Sequence, residues 1–156
     1  NVICITGDGG FQMNLQELQT IVDNGITVKV FVLNSKGYLA ISIMQDNSFG
    51  SNYFGANSES GVGAPDFTKI AKAYGLASSH LSSDLSIARK EIQEIIKYKG
   101  SYVCEVAVSP KQLMRPRVQS VRDTDGKFSS GAIEVMWPFL SPEMEIEINH
   151  LLNINN

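Results

Sequence analysis

Apolar residues in the first two thirds of the chain form short continuous runs that alternate with runs at helical spacing. The continuous runs are rich in Val and Ile, as buried strands of parallel sheets are. This alternation predicts a doubly wound α/β fold with a mostly parallel sheet and helices on both faces. The predicted strands are Val2–Thr6, Thr27–Leu33, Leu76–His80 and Ser101–Val108, and the predicted helices are Phe11–Asn24, Tyr38–Gln45, Asp66–Tyr74 and a segment that begins at Asp84.

The sequence predicts that the first strand and the two cysteines are buried. Val2–Thr6 has no charged residue, so we expect it to be fully buried. Cys4 and Cys104 both lie in apolar runs, and two isolated cysteines form neither a zinc site nor a disulfide framework. We therefore expect two buried, reduced thiols, as in a cytosolic protein.

A long segment rich in Gly, Ser and Asn, Asp46–Pro65, separates two of the predicted helices. Loops of this length inside compact domains are usually functional or mobile. Asp66 follows directly and is expected at the N-cap or in the first turn of the next helix. His80, after a short strand, is expected to be a surface or structural residue.

Beyond the last predicted strand the pattern changes, because prolines interrupt any regular element and arginines give a local positive bias. We therefore divide the chain into an α/β domain at 1–108 and a C-terminal extension at 109–156 that packs on this domain or on a partner domain. Arg115 and Arg117 would meet an anionic substrate or a partner domain, or form an exposed charged tail, which is the favoured interpretation. In the extension we expect an apolar cluster at Val135–Leu140 and a terminal helix at Ile146–Ile154.

Composition narrows the classes of partner. The chain has 156 residues, 43% of them hydrophobic and 19% charged, with a net charge of −3, which is ordinary for one globular domain. It has no basic stripe for nucleic acid and no apolar run near the ~20 residues of a membrane span, so neither partner is expected. The chain opens on Asn1 and enters a strand at the next residue, which we interpret as a fragment of a longer polypeptide.

Polar residues follow the first two predicted strands directly. Asp8 lies in Gly7-Asp8-Gly9-Gly10, and Asn34-Ser35 follows the second strand. Because the carboxyl ends of parallel strands lie on one edge of a sheet, these side chains are expected to converge. Carboxylate, amide, hydroxyl and carbonyl oxygens are ligands that Mg²⁺ accepts beside phosphate oxygens, and glycines let the backbone approach a phosphate closely.

This pattern resembles the thiamine diphosphate (ThDP) enzyme family, whose motif is Gly-Asp-Gly, a spacer and then Asn-Asn. Gly7-Asp8-Gly9 matches fully, and the segment from Gly10 to Thr20 is similar to the acetolactate synthase branch. The second half of the motif reads Asn34-Ser35, so Ser replaces the second Asn. The resemblance covers roughly residues 1–108.

The resemblance implies a site for ThDP and Mg²⁺. Asp8, Ser35 and the Gly37 carbonyl are the implied metal ligands. A serine hydroxyl is shorter than an amide and a weaker ligand, so Asn34 is kept as an alternative. The implied cofactor-binding residues are Gly7, Asp8, Gly9, Gly10, Asn34, Ser35, Gly37, Tyr38 and Leu39.

The resemblance also implies a function for the longer protein. It indicates the C-terminal, diphosphate-binding domain of an enzyme similar to the acetolactate synthase large subunit, which decarboxylates a 2-keto acid and joins the product to a second carbonyl. The activating glutamate of this family lies in a pyrimidine-binding domain of the same or a second subunit, so Glu17 is not assigned that role and no catalytic residue is assigned here. We expect a cytoplasmic homo-oligomer, dimer or tetramer, as the parent, and no turnover by this chain alone.

Three alternatives remain. The parent could be a 2-keto acid decarboxylase, or a carboligase acting on sugar-derived keto substrates. The domain could also be degenerate and non-catalytic, serving assembly or regulation, which Ser35 favours. A nucleotide-binding Rossmann domain is poorly supported, because no Gly-x-Gly-x-x-Gly follows the first strand.

Overall fold

The computed structural model describes residues 2–122, 124–131, 133 and 136–151. It divides the chain into two compact units, Asn1–Gln112 and Leu113–Asn156. The first unit contains the α/β layer that the strand and helix pattern predicts. Its elements are β1 (Val2–Gly7), α1 (Asp8–Gln12), α2 (Glu17–Asp23), β2 (Val28–Asn34), α3 (Leu39–Phe49), a 3₁₀ turn (Ser58–Ser60), α4 (Phe67–Ala73), β3 (Ala77–His80), α5 (Leu85–Lys97) and β4 (Tyr102–Ala107).

The sheet of the first unit has four parallel strands in the order β1-β2-β4-β3. Its register pairs Gly7 with Leu33, and Asn34 with Ala107. On the other side of β4, His80 pairs with Glu105. The carboxyl ends of all four strands therefore lie along one edge, and the polar residues that follow them are neighbours.

Alternate residues of β2 face two different core clusters, because successive side chains of a strand point to opposite faces. Val30 and Val32 pack with residues of α1, α2 and α4, where the rings of Phe11 and Phe67 meet edge to face at 5.3 Å. On the other face, Phe31 packs with residues of α5 and β4. Helices thus cover both faces of the sheet, which confirms the predicted fold class.

Lys29 is fully buried in β2, between the apolar residues of that strand. Its ammonium group donates hydrogen bonds to the carbonyls of Tyr98, at 2.8 Å, and Gly100. These carbonyls follow the end of α5, where the helix leaves carbonyl groups without intrahelical partners. The apolar pattern around Lys29 did not indicate this buried charge.

The prediction that the first strand is fully buried is wrong. β1 lies at an edge of the sheet, and Val2, Ile3 and Ile5 are 63%, 48% and 69% exposed. Cys4 is exposed as well, so only Cys104 is the buried thiol that was expected. Burial raises the pKa of Cys104 to about 11. An apolar run indicates a strand, but it does not say whether the strand is central or at the edge.

The prediction of a single helix at Phe11–Asn24 is also wrong, because the chain forms the two helices α1 and α2 in this region. Between α1 and α2 the backbone turns more tightly, and the N–H groups of Asn14 and Glu17 donate to carbonyls three residues earlier. The helix predicted at Tyr38–Gln45 in turn continues to Phe49, where Gly50 ends it with a φ of +60°.

The second unit contains short strands, contrary to the prediction that prolines break up every regular element there. β5 (Arg117–Val118) pairs with β8 (Met136–Trp137), and β6 (Ser120–Arg122) with β7 (Phe128–Ser130), both antiparallel. The guanidinium of Arg117 lies 5.4 Å from the ring centre of Trp137. α6 (Pro142–Leu151) overlaps the predicted terminal helix, whereas residues 152–154 of that helix and Val135 of the predicted apolar cluster lie outside the described residues.

Among the described residues, no helix is both long enough and apolar enough to span a membrane.

Candidate functional site

Asp8 joins the carboxyl ends of β1 and β2. Its carboxylate is buried, and its Oδ2 accepts hydrogen bonds from the Ser35 N–H at 2.8 Å and the Gly37 N–H at 3.2 Å. Its Oδ1 accepts the N–H of Gly9 at 2.8 Å. Asp8 and Ser35 are 27 positions apart in the chain, yet the two strand ends meet at this carboxylate, as the polar residues after each strand predict.

Three kinds of oxygen meet beside Asp8. The Ser35 Oγ lies 3.2 Å from the Asp8 Oδ2 and 3.0 Å from the carbonyl oxygen of Gly37. Octahedral Mg²⁺ binds oxygen at about 2.0–2.1 Å, which places neighbouring ligands about 2.9 Å apart. The Ser35 hydroxyl lies near that spacing from both the Asp8 carboxylate and the Gly37 carbonyl, and all three are oxygen ligands of the kind that a hard divalent cation prefers.

The turn that carries Ser35 and Gly37 has an unusual backbone. Lys36, between them, has a φ of +65°, in the left-handed region. A Cβ on Gly37 would lie 2.8 Å from the carbonyl oxygen of Ala56, so only glycine fits at this position. The N–H of Tyr38 donates to the same carbonyl at 2.7 Å, so the segment after α3 is held directly against the turn.

Asn34 does not direct its amide at the oxygen cluster. Its Nδ2 donates to the Glu105 Oε1 at 2.8 Å, and its Oδ1 accepts the Lys36 N–H at 2.9 Å. Both polar atoms of this buried side chain therefore form hydrogen bonds with groups other than the Asp8, Ser35 and Gly37 oxygens. The structure brings Asn34 next to the cluster as a support for the turn.

Gly7, Gly9 and Gly10 lie where β1 passes into α1. Gly7 has extended backbone at the N-cap of α1, and the helix starts at Asp8, so both later glycines are in its first turn. A Cβ on Gly9 would lie 2.5 Å from two ring carbons of Tyr38. A side chain at Gly9 would therefore displace the Tyr38 ring, in addition to hindering the expected approach of a phosphate.

Tyr38 and Leu39 stand at the start of α3. Both are half-buried, and Tyr38 contacts the glycine turn as described above. Ile41, which follows on the same helix, is 41% exposed. The structure thus places Tyr38 beside the glycine turn of the candidate site.

Glu105 is a functional candidate that sequence reasoning missed. It lies in β4 with 5% exposure, and its two oxygens accept hydrogen bonds from the Asn34 amide and, at 2.9 Å, from the Phe67 N–H. The ammonium of Lys36 lies 3.9 Å from its Oε1. A single glutamate inside the apolar run Ser101–Val108 was the available signal, since buried carboxylates require partners.

A second cluster joins Glu105 to Asp66 and His80, whose nearest ligating atoms lie within 4.8 Å of one another. The carboxylate of Asp66 caps α4, and hydrogen bonds from the Thr68 hydroxyl and the Lys69 N–H lower its pKa to about 2. Donors and cations of this chain already compensate both carboxylates, so we interpret the cluster as a structural network. Asp66 is the N-cap that was predicted.

Residues 1–106 match the family described as "Thiamine pyrophosphate enzyme, C-terminal TPP binding domain". The chain belongs to this family. The matched residues, which form the TPP-binding domain in this chain, include Asp8, Ser35, Gly37 and Glu105. The second unit lies beyond them. Thiamine pyrophosphate is another name for ThDP, so the resemblance inferred from the glycine and asparagine motif is confirmed.

The chain is similar to several acetolactate synthases. It is 34% identical to the acetolactate synthase of Arthrospira platensis over 122 residues, which are 78% of this chain and 21% of that protein. It is 34% identical to the probable large subunit of Methanococcus aeolicus over 113 residues, or 72% and 18% of the two chains. The chloroplastic acetolactate synthase 1 of Zea mays is 28% identical over 137 residues, or 81% and 21%. The chain thus spans about a fifth of the length of these relatives.

Proposed function

We propose that this TPP-binding domain holds the diphosphate of ThDP through Mg²⁺. The observation that supports the proposal is that the Ser35 hydroxyl lies near the spacing of neighbouring Mg²⁺ ligands from both the Asp8 carboxylate and the Gly37 carbonyl. In this proposal these three groups bind the metal, and Asn34 supports their turn. The amides of Gly9 and Gly10 contact the phosphates, and Gly7, Tyr38 and Leu39 complete the pocket.

The protein's contribution to the chemistry is binding and orientation. ThDP, when bound, supplies the nucleophilic carbon and the electron sink for decarboxylation of a 2-keto acid. The buried Asp8 carboxylate holds the metal in place because backbone N–H groups of Ser35 and Gly37 fix its orientation. The proposed role of this domain is therefore to present the cofactor to groups supplied by other parts of the enzyme.

For the longer protein, we propose decarboxylation of a 2-keto acid followed by carboligation, because its similar relatives are named acetolactate synthases. The proposed partners are a pyrimidine-binding domain of the same or a second subunit and a second copy in a dimer or tetramer. The proposed location is the cytoplasm. A simple decarboxylase, or a carboligase for sugar-derived keto substrates, is the alternative among enzymes.

Ser35 supports a second candidate function, that of a degenerate domain with an assembly or regulatory role. A hydroxyl binds Mg²⁺ less strongly than an amide oxygen does, so the replacement weakens the metal site if nothing compensates. The Ser35 Oγ lies within hydrogen-bond distance of both the Asp8 carboxylate and the Gly37 carbonyl, and donation of its one proton to either of them keeps the oxygen within the cluster, which favours the working site.

Calorimetric titration of this chain with ThDP and Mg²⁺ separates the two candidates. We expect weak Mg²⁺-dependent binding, which Asp8→Asn reduces by about tenfold or more because a charged ligand is lost. Good binding that Ser35→Asn changes little indicates a working site, whereas a large gain from undetectable binding indicates degeneration.

Asp23→Asn is the matched control, because Asp23 is an exposed carboxylate at the end of α2. Equal losses in Asp23→Asn and Asp8→Asn would contradict the proposed metal site. We expect no acetolactate or aldehyde from this chain with pyruvate, ThDP and Mg²⁺. Measurable turnover would show that the activating groups lie within these 156 residues.

A further inference from the structure

Besides Asp8, Glu105 is a second buried carboxylate beside the turn proposed to hold Mg²⁺. The pairing of β2 with β4 places it across from Val32, two residues before Asn34. Its Oε1 accepts the Asn34 amide, and its Oε2 accepts the Phe67 N–H at the start of α4. Both oxygens are therefore acceptors for groups outside β4, one of them next to the candidate site.

The orientation of the Asn34 amide depends on Glu105. A carboxylate accepts hydrogen bonds only, so the NH₂ group of Asn34 must face it. The amide oxygen is then left to accept the Lys36 N–H at 2.9 Å. If the amide were reversed, its NH₂ group would face the Lys36 N–H, and two hydrogen-bond donors would face each other without an acceptor.

Lys36 connects this contact to the proposed metal ligands. It has a φ of +65°, and its two neighbours, Ser35 and Gly37, both donate their N–H groups to the Asp8 carboxylate. A backbone held in the left-handed region needs fixed partners to persist. The hydrogen bond from Lys36 to Asn34 supplies one of these partners.

We propose that Glu105 is a positioning residue for the metal-binding turn. Through the Asn34 amide it fixes Lys36, and so it presents the Ser35 hydroxyl and the Gly37 carbonyl beside Asp8. The role in metal binding rests on the proposed function, whereas the role in ordering the turn does not. Glu105 lies 71 residues from Asn34 in the chain, so this role follows from the sheet and from no local motif.

Exchanging the donor and the acceptor tests the proposal. Asn34→Asp places two carboxylates face to face. Glu105→Gln places an NH₂ group against the Asn34 amide if the oxygen of the introduced glutamine serves the Phe67 N–H. In the double variant Asn34→Asp/Glu105→Gln, the introduced glutamine donates to the introduced aspartate, which still accepts the Lys36 N–H. We expect each single change to weaken the turn and the double change to restore it.

Amide hydrogen exchange of this chain without metal measures the turn directly. We expect the Ser35 and Gly37 amides to exchange about tenfold faster in each single variant, because a buried donor or acceptor is left unpaired. In the double variant we expect rates within about threefold of the original. If a single variant unfolds, recovery of the thermal transition in the double variant is the deciding measurement.

Three outcomes would overturn the proposal. The first is a double variant no better than the worse single variant. The second is faster exchange in Glu105→Gln at Phe67 and the following residues of α4 but not at Ser35 and Gly37, which would make Glu105 a helix cap only. The third is exchange at Ser35 and Gly37 that stays at the original rate in both single variants.

Binding of ThDP with Mg²⁺ to the same variants separates this inference from the proposed function. We expect the dissociation constant to rise about tenfold in each single variant and to recover in the double variant. If exchange at Ser35 and Gly37 follows the predicted pattern and the original chain binds no ThDP with Mg²⁺, Glu105 orders the turn and the proposed function fails. If binding is present and unaffected by these changes, the positioning role fails and the proposed function stands.

Discussion

At the scale of single residues, glycine at position 9 has two possible reasons: the neighbouring Tyr38 ring and the proposed approach of a phosphate. A Cβ there would lie 2.5 Å from two ring carbons of Tyr38, a distance at which one of the groups must move. In a helix such as α1, however, alanine is favoured over glycine by about 1 kcal/mol. We therefore expect Gly9→Ala to lower the free energy of unfolding by about 1–3 kcal/mol, because the cost of crowding exceeds the gain in helix propensity. Urea unfolding of the metal-free chain measures this change.

Removing the ring provides the control for Gly9. In a Tyr38→Ala background, Gly9→Ala is expected to be neutral or stabilising, so the two changes are not additive. If instead Gly9→Ala stabilises the original chain without cofactor, the ring does not constrain Gly9, and only the approach of a phosphate would remain as a reason for glycine.

Two residues of the oxygen cluster could be predicted because each follows its strand directly. Asp8 comes straight after β1 and Ser35 straight after β2, so strand pattern and parallel topology predict that they meet. The Gly37 carbonyl was expected only from the resemblance to the ThDP family. The orientation of Asn34 could not be predicted in this way. It is set by Glu105 on a strand that lies between β2 and β3 in the sheet but last among the four in sequence.

At the scale of elements, the start of α4 is held by Asp66. The Thr68 hydroxyl is the largest cause of its low pKa, followed by the Lys69 N–H. We therefore expect the carboxyl carbon of Asp66 to titrate in NMR spectra with a pKa of about 2, and Thr68→Ala to raise that pKa towards the ordinary value of 3.8. Because the folded-state pKa is lowered, the contribution of Asp66 to stability is present above about pH 4 and is lost as the pH falls towards 2.

Lys69→Ala is the matched control for Thr68→Ala. It removes a charge near Asp66 but keeps the backbone N–H that donates to the carboxylate, so it should raise the pKa less than Thr68→Ala does. An equal or larger shift in Lys69→Ala would mean that charge, and not the hydroxyl, sets the pKa of this helix cap.

The helices and strands show which features of the fold can be predicted from the pattern of residues along the chain. The N-caps of α4 and α5 were predictable, because an aspartate before an apolar helical pattern is a local signal. The division of Phe11–Asn24 into α1 and α2 was not predictable from the sequence, because apolar residues continue at helical spacing through the tight turn between the two helices. The exposure of β1 was not predictable either, since it depends on which strands lie beside it.

At the scale of the whole molecule, the exposed edge strand β1 is the feature with the largest expected effect on behaviour in solution. It carries Val2, Ile3 and Ile5 with about half or more of each side chain exposed, and within the described sheet it pairs only with β2. An apolar edge strand offers unpaired backbone groups and apolar surface to another chain. We therefore expect the purified chain to self-associate as its concentration rises.

Ile5→Lys tests this expectation, because a lysine on an edge strand opposes pairing through its charge and its hydration. Sedimentation velocity over a tenfold range of concentration should show association in the original chain and a sharply reduced tendency in Ile5→Lys. Phe54→Lys is the matched control, since Phe54 is an apolar residue that is 88% exposed but lies in the segment after α3. If Phe54→Lys reduces association as much as Ile5→Lys does, general apolar exposure drives association and β1 has no special part in it.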